Sequence, residues 1–97
     1  MPAVMGVAVQ LEPDVAREVS TRLKRAQGQI GGIIAMMEEG RDCEDIVTQL
    51  AAASRALDRA GFKIVASGVR QCHDAELRGE QPGMTREQME KLFLTLA

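Results

Sequence analysis

The fold is decided by residues 43–77, which read CEDIVTQLAAASRALDRAGFKIVASGVRQCHDAEL. The stretch contains no proline, and Asp42 immediately before it is a favourable helix N-cap. Its apolar side chains recur at the spacing of one helix face. They are Ile46, Leu50, Ala53, Leu57, Ile64, Val65 and Val69. The pattern predicts one long helix over about 43–77.

A helix of this length requires a partner. It would be roughly 50 Å long, and a single small chain cannot cover both sides of such a rod. We therefore expect self-association, most simply an antiparallel four-helix bundle formed by two helical hairpins. Gly61 and Gly68 leave an alternative open, in which the long helix is broken at one of them and the chain is a three-helix monomer.

Two further helices flank the long one. Pro13 suits a first helical turn and Gly40 suits a helix C-cap, which predicts a helix over about 14–39. After the turn formed by residues 81–83, Thr85 and Gln88 have capping-box spacing and predict a short helix over about 86–96.

The predicted organisation is a flexible N-terminal tail, residues 1–12, followed by a single helical domain, residues 13–97. The tail has no basic segment before its apolar residues, so it does not resemble a secretion signal, and we expect a cytoplasmic protein.

The composition supports an all-α fold and excludes other classes. The chain has 97 residues, of which 45% are hydrophobic, and its only aromatic residues are Phe62 and Phe93. A β-sandwich or barrel would use more aromatic side chains. No apolar run approaches the roughly 18 residues of a membrane span. An enzyme is not expected either, because no nucleophile–base pair or acid/base constellation is visible.

The net charge of −2 conceals two basic segments. Residues 17–25 and residues 55–70 each carry a balance of +3, whereas residues 38–45 carry −4. A dimer would present two copies of both basic segments, which favours binding to phosphates. The alternative is a solvated helix surface with local ion pairs, such as Arg55 with Asp58.

Cys43 and Cys72 are 29 residues apart on the same predicted helix. Their Cα atoms would be about 43 Å apart, whereas a disulfide needs about 4.4–6.8 Å. In an antiparallel pair of such helices, Cys43 of one chain meets Cys72 of the other, which gives two equivalent sites per dimer. Alternatively, both are small buried hydrophobes. No metal ligand is assigned to His73, because adjacent helical residues point about 100° apart.

An ordered set of residues runs through the first two predicted helices: Arg22-Leu23-Lys24-Arg25, Gly28-Gln29-Ile30, Gly32-Ile33, Met36, Cys43, Ile46 and Gln49. Together with the rest of residues 18–96, this set resembles the CsoR/RcnR family of small all-helical bacterial repressors. The resemblance implies a three-helix protomer, an antiparallel four-helix-bundle dimer and a tetramer of two dimers. It also implies operator binding through basic residues of helices one and two, and release by an inducer at the cysteine site.

The resemblance also bears on the inducer. Copper sensors of the family carry Cys, then His 25 residues later and Cys 29 residues later; here these positions are Cys43, Gly68 and Cys72. Nickel and cobalt sensors carry His at the last position, and formaldehyde sensors keep the middle His. Two cysteines without that His resemble the CstR-type persulfide sensors. No metal or other cofactor is therefore assigned.

The sequence thus predicts a DNA-binding repressor that is released from its operator by a di-, tri- or tetrasulfide bridge between Cys43 and Cys72 of two protomers. Its predicted partners are operator DNA, further copies of itself and small persulfides or polysulfides. Arg22 and Arg59 match basic positions that the family uses for DNA, and Lys24, Arg25 and Arg55 are added because of their local charge. The alternatives are a copper(I)-responsive repressor of the same family and a helical interaction protein without a DNA role.

Overall fold

A computed structural model of the chain describes residues 10–96. It contains three helices: α1 (Pro13–Glu38), α2 (Cys43–Leu77) and α3 (Arg86–Leu96). No strand occurs within the described range, so the all-α prediction is confirmed. The predicted tail falls outside that range except for residues 10–12. No helix among the described residues is both long and apolar enough to cross a membrane.

The ends of the helices follow the signals in the sequence. Pro13 occupies the first turn of α1, and Gly40 ends it with a φ of 72°, a conformation that favours glycine. Asp42 is the N-cap of α2, although its side chain makes no capping hydrogen bond. The predicted capping box of α3 is present. The Thr85 N–H donates to Gln88 Oε1 at 2.9 Å, and the Gln88 N–H donates to Thr85 Oγ1 at 3.1 Å.

α2 is continuous through both internal glycines, so the alternative of a long helix broken at Gly61 or Gly68 is wrong. The packing of α3 explains why Gly61 is tolerated. A Cβ atom at Gly61 would lie 2.8 Å from Cδ2 of Leu96, so the missing side chain lets α3 approach α2 closely. Nearby, the rings of Phe62 and Phe93 pack at a centroid distance of 5.4 Å.

The buried seam between α1 and α2 is formed largely by small side chains. Val19, Ala26 and Ile33 line it on α1, and Ala53 and Ala60 line it on α2. The two helices run antiparallel because only four residues connect them. The alanines Ala26, Ala53 and Ala60 allow close approach of the helices, and the seam fixes which side of each helix faces outward.

Ala60→Leu tests this close packing. Ala60 is only 1% exposed, so three additional carbon atoms would push the helices apart. We expect unfolding to become easier by about 1–3 kcal/mol. Urea denaturation followed by circular dichroism measures the change, with Ala51→Leu on the exposed side of α2 as the control. Equal stability of the two variants would contradict the close packing.

Candidate functional site

The two cysteines lie at opposite ends of α2. Cys43 is its first residue and Cys72 lies near its C-terminus, so the continuous helix separates them by about 43 Å within one chain. Each residue of a helix advances by about 100°, so 29 residues bring Cys72 back to within about 20° of the direction of Cys43. Both thiols therefore lie on the same side of one rod.

The environments of the two thiols differ. Cys43 is exposed, whereas Cys72 is buried and only 4% accessible. The Cys72 thiol donates a hydrogen bond to the Met84 carbonyl oxygen, with an Sγ–O distance of 3.2 Å. Met84 lies just before α3, so this bond ties α2 to the start of α3. Sequence reasoning missed this contact because no local pattern indicates it.

A cleft of about 590 Å³ opens beside Cys72 between α2 and α3. Its walls are mainly apolar and include Val69 and Phe93. Glu76 and Arg86, which form an ion pair at 3.3 Å, also line it. The cleft gives small molecules or another polypeptide segment access to the neighbourhood of Cys72.

The donor set does not fit a three-ligand metal site. Gly68 stands at the middle position of the ligand pattern and offers no donor atom. His73 is exposed and lines the same cleft as Cys72, but it stands one position beyond the last position of the ligand pattern. Within residues 10–96, no group of three or more His, Cys, Asp or Glu side chains is arranged so that it could hold a metal ion. Of the three positions in that pattern, Cys43 and Cys72 carry a donor atom.

The basic residues are organised by one contact between the helices. Lys63 Nζ of α2 lies 2.9 Å from Glu18 Oε1 of α1. In an antiparallel pair, one turn forward on α1 corresponds to one turn back on α2. This register places Arg22 at the level of Arg59, and Arg25 close to the level of Arg55.

Basic side chains cluster on the side of the hairpin marked by the Glu18–Lys63 contact, where Arg70 also lies, and we call five of them the basic edge. Its members are Arg22, Arg25, Arg55, Arg59 and Lys63. Lys24 is not brought together with them, because it lies about 200° around α1 from Arg22. Lys63 was missing from the predicted site, although its spacing of four residues from Arg59 indicates a shared face. The suggested Arg55–Asp58 ion pair is not among those of residues 10–96.

The opposite side of the hairpin is apolar and open, and we call it the apolar flank. Its large side chains are between 41% and 55% exposed in the isolated chain. They are Leu23, Ile30, Ile34, Leu50 and Leu57. Cys43 precedes Leu50 by seven residues, so it lies on the same side of α2. The apolar flank and the basic edge therefore point in different directions.

Comparison with known proteins decides the family. The protein-family model described as "Metal-sensitive transcriptional repressor" matches residues 16–96. The chain belongs to this family. The match covers all three helices and confirms the resemblance to the CsoR/RcnR family that was drawn from residues 18–96.

Several curated proteins are similar to this member of the metal-sensitive transcriptional repressor family. Over 62 residues, or 64% of this chain, it is 36% identical to the copper-sensing transcriptional repressor CsoR of Mycobacterium ulcerans (strain Agy99) and covers 53% of that protein. Over 62 residues it is also 32% identical to the copper-sensing transcriptional repressor RicR of Mycobacterium tuberculosis (strain ATCC 25618 / H37Rv), covering 64% of this chain and 65% of RicR.

A shorter match, 51% identical over 37 residues, covers 38% of this chain and 59% of the uncharacterized protein YrkD of Bacillus subtilis (strain 168). The chain thus spans between about half and two thirds of the length of these relatives. No solved structure matches it.

Proposed function

We propose that this family member is a DNA-binding transcriptional repressor that responds to persulfides and polysulfides through a cysteine pair shared between protomers. It acts in the cytoplasm, without enzymatic activity, as an antiparallel dimer assembled further into a tetramer. The observation that carries the proposal is the placement of Cys43 and Cys72 on one side of a continuous helix, close to an exposed apolar surface.

A two-fold axis brings the cysteines of two chains together. If α2 pairs antiparallel with α2 of the partner subunit and Cys43 meets Cys72 of the partner subunit, the axis crosses α2 between residues 57 and 58. Leu57 then lies at the centre of the interface, and its exposed side chain on the apolar flank suits that position. The same axis generates two equivalent cysteine sites, one at each end of the dimer.

The basic edge supports DNA binding by this dimer. Because it lies on the opposite side of the hairpin from the apolar flank, association through the apolar flank leaves it exposed. The dimer then carries two copies of the set Arg22, Arg25, Arg55, Arg59 and Lys63, which neutralise DNA phosphates. Lys24 also remains a predicted DNA contact, although it lies on a different side of α1 from Arg22.

The chemistry at the cysteine pair needs no external oxidant beyond the persulfide. The exposed Cys43 thiolate attacks the outer sulfur of a persulfide RS–SH, which yields Cys43–S–SH and releases RS⁻. The Cys72 thiolate of the partner subunit then attacks Sγ of Cys43, forms the cross-chain disulfide and expels HS⁻. When Cys43 carries a longer chain, Cys43–S–S–SH, the Cys72 thiolate of the partner subunit attacks the sulfur next to the terminal SH instead, expels HS⁻ and forms a trisulfide; one further sulfur atom gives a tetrasulfide.

Bridge formation has a structural consequence that supports a switch. Once its sulfur is bonded to another sulfur, Cys72 has no hydrogen to donate to the Met84 carbonyl. The bridge therefore breaks the bond between α2 and the start of α3 while it covalently fixes one α2 to the other. The bridged dimer has a helix arrangement with low affinity for DNA.

Copper(I) is the second candidate inducer, because the two mycobacterial relatives are named as copper-sensing repressors. The chain keeps both cysteines, but Gly68 removes the third donor of the copper pattern. Parallel titrations of the DNA complex with a persulfide and with cuprous ion, both without oxygen, distinguish the two. We expect release by the persulfide. Release by cuprous ion alone would overturn the persulfide assignment.

Arg59→Ala tests the basic edge. Losing one phosphate contact should make the slope of log K against log salt shallower by about 0.9 and weaken DNA binding about eightfold at 0.1 M salt. Fluorescence anisotropy with a DNA duplex taken from the region upstream of the protein's own gene measures both quantities. Lys91→Ala on α3 is the control for the loss of one positive charge. Equal affinities of the two variants would remove Arg59 from the site.

A further inference from the structure

Among residues 10–96, one carboxylate forms ion pairs with members of the basic edge. Glu18 Oε1 accepts hydrogen bonds from Lys63 Nζ at 2.9 Å and from Arg22 Nη2 at 3.4 Å. Glu18 is thus the acidic group that two members of the basic edge share. In residues 17–25 it is also the only acidic residue among four basic ones.

The surroundings of Glu18 keep it ionised. The hydrogen bond from Lys63, with a further contribution from Arg22, holds the pKa of the Glu18 carboxyl below its ordinary value. At neutral pH its oxygens therefore present a negative charge to the same donors that a DNA phosphate would use.

Arg22 keeps unused hydrogen-bonding capacity in this arrangement. Its Nε is enclosed and has no acceptor within the described part of the chain. The side chain as a whole is partly exposed, and its one acceptor there is Glu18 at the rather long distance of 3.4 Å. One enclosed donor of the guanidinium is therefore unpaired within residues 10–96, while its exposed donors face solvent, where a phosphate could reach them.

We propose that Glu18 is an intramolecular competitor of DNA phosphates for Lys63 and Arg22 and thereby sets how tightly the basic edge holds DNA. The inference rests on the proposed function and deepens it. When a phosphate arrives, the two cations exchange the Glu18 carboxylate for phosphate oxygens, and the displaced carboxylate repels the DNA backbone. The Glu18 carboxylate thus offsets part of the attraction between the basic edge and DNA phosphates.

Glu18→Gln removes the charge but leaves an amide oxygen that can still accept from Lys63, so the link between α1 and α2 is kept. In the full-length assembled protein we expect DNA affinity to rise about eightfold at 0.1 M salt, with the slope of log K against log salt steeper by about 0.9. These changes correspond to one additional phosphate contact. Because phosphates carry the effect, it is the same for the upstream duplex and for a scrambled duplex.

Glu87→Gln, on the exposed first turn of α3, is the matched control for the change in net charge. A second comparison uses Lys63→Met. If Glu18 acts through Lys63, Glu18→Gln should raise DNA affinity less in the Lys63→Met protein than in the wild-type protein. A Glu18→Gln protein that binds no tighter than Glu87→Gln, or that fails to assemble, overturns the inference. Wild-type protein that binds no duplex at any salt concentration overturns the proposed function, and this inference with it.

Discussion

A Cys43→Ser protein is expected to remain on DNA at persulfide concentrations that release the wild-type protein completely. A serine hydroxyl does not take up sulfur from a persulfide, so neither the persulfide at position 43 nor the bridge to Cys72 of the partner subunit can form. Cys43 is exposed and away from the buried seam, so the substitution leaves the fold and DNA binding intact. Anisotropy of labelled DNA during a persulfide titration measures the response.

Cys72→Ser is the informative companion. Its hydroxyl can still donate to the Met84 carbonyl, which preserves the contact between α2 and the start of α3. This variant should take up sulfur at Cys43, with mass gains in multiples of about 32 Da, but form no covalent dimer. Release of Cys43→Ser at the wild-type concentration would show that the response does not pass through the cysteine pair.

Leu57→Glu is expected to dissociate the dimer and abolish tight DNA binding. The two copies of Leu57 meet at the proposed axis, and burial of each stabilises the dimer by about 1.5–3 kcal/mol. Replacing both places two carboxylates close together in the interface, so the dimer should weaken by at least about 3–6 kcal/mol. That is roughly a 10²- to 10⁴-fold change in its dissociation constant.

Sedimentation equilibrium measures this change, and Leu77→Glu is the matched control. Leu77 is 74% exposed at the end of α2. In the proposed pairing it lies beyond the first residue of the partner subunit's α2, so it does not contact that helix. Leu77→Glu should therefore assemble like the wild-type protein. A Leu57→Glu protein with unchanged oligomeric state would contradict the placement of the axis.

The helices of this chain are predictable from sequence because local signals define their ends. Pro13, Gly40 and Thr85 each act through their own backbone geometry or hydrogen bonds with near neighbours, so the predicted ends agree with the structure to within one residue. The structural reason for a glycine at position 61 is different. Leu96, which is far away in sequence, packs where a side chain at this position would lie, and this contact exists only once α3 has packed.

The candidate site was predictable only in part, for the same reason. The spacing of Cys43 and Cys72 along a helix follows from arithmetic, but the burial of Cys72 and its bond to Met84 depend on where α3 packs. The segment charges indicated a basic surface in residues 55–70. They did not reveal that Lys63 pairs with Glu18 of another helix, because that contact requires the antiparallel register.

We propose that a sulfur bridge between Cys43 and Cys72 of the partner subunit releases the protein from DNA. The most direct test is mass spectrometry of non-reduced peptides from protein that a persulfide has just released from its operator duplex. We predict that the Cys43 peptide is joined to the Cys72 peptide by two to four sulfur atoms, in a covalent dimer whose amount rises with the fraction of free DNA. Released protein in which both cysteines remain as thiols would contradict the claim.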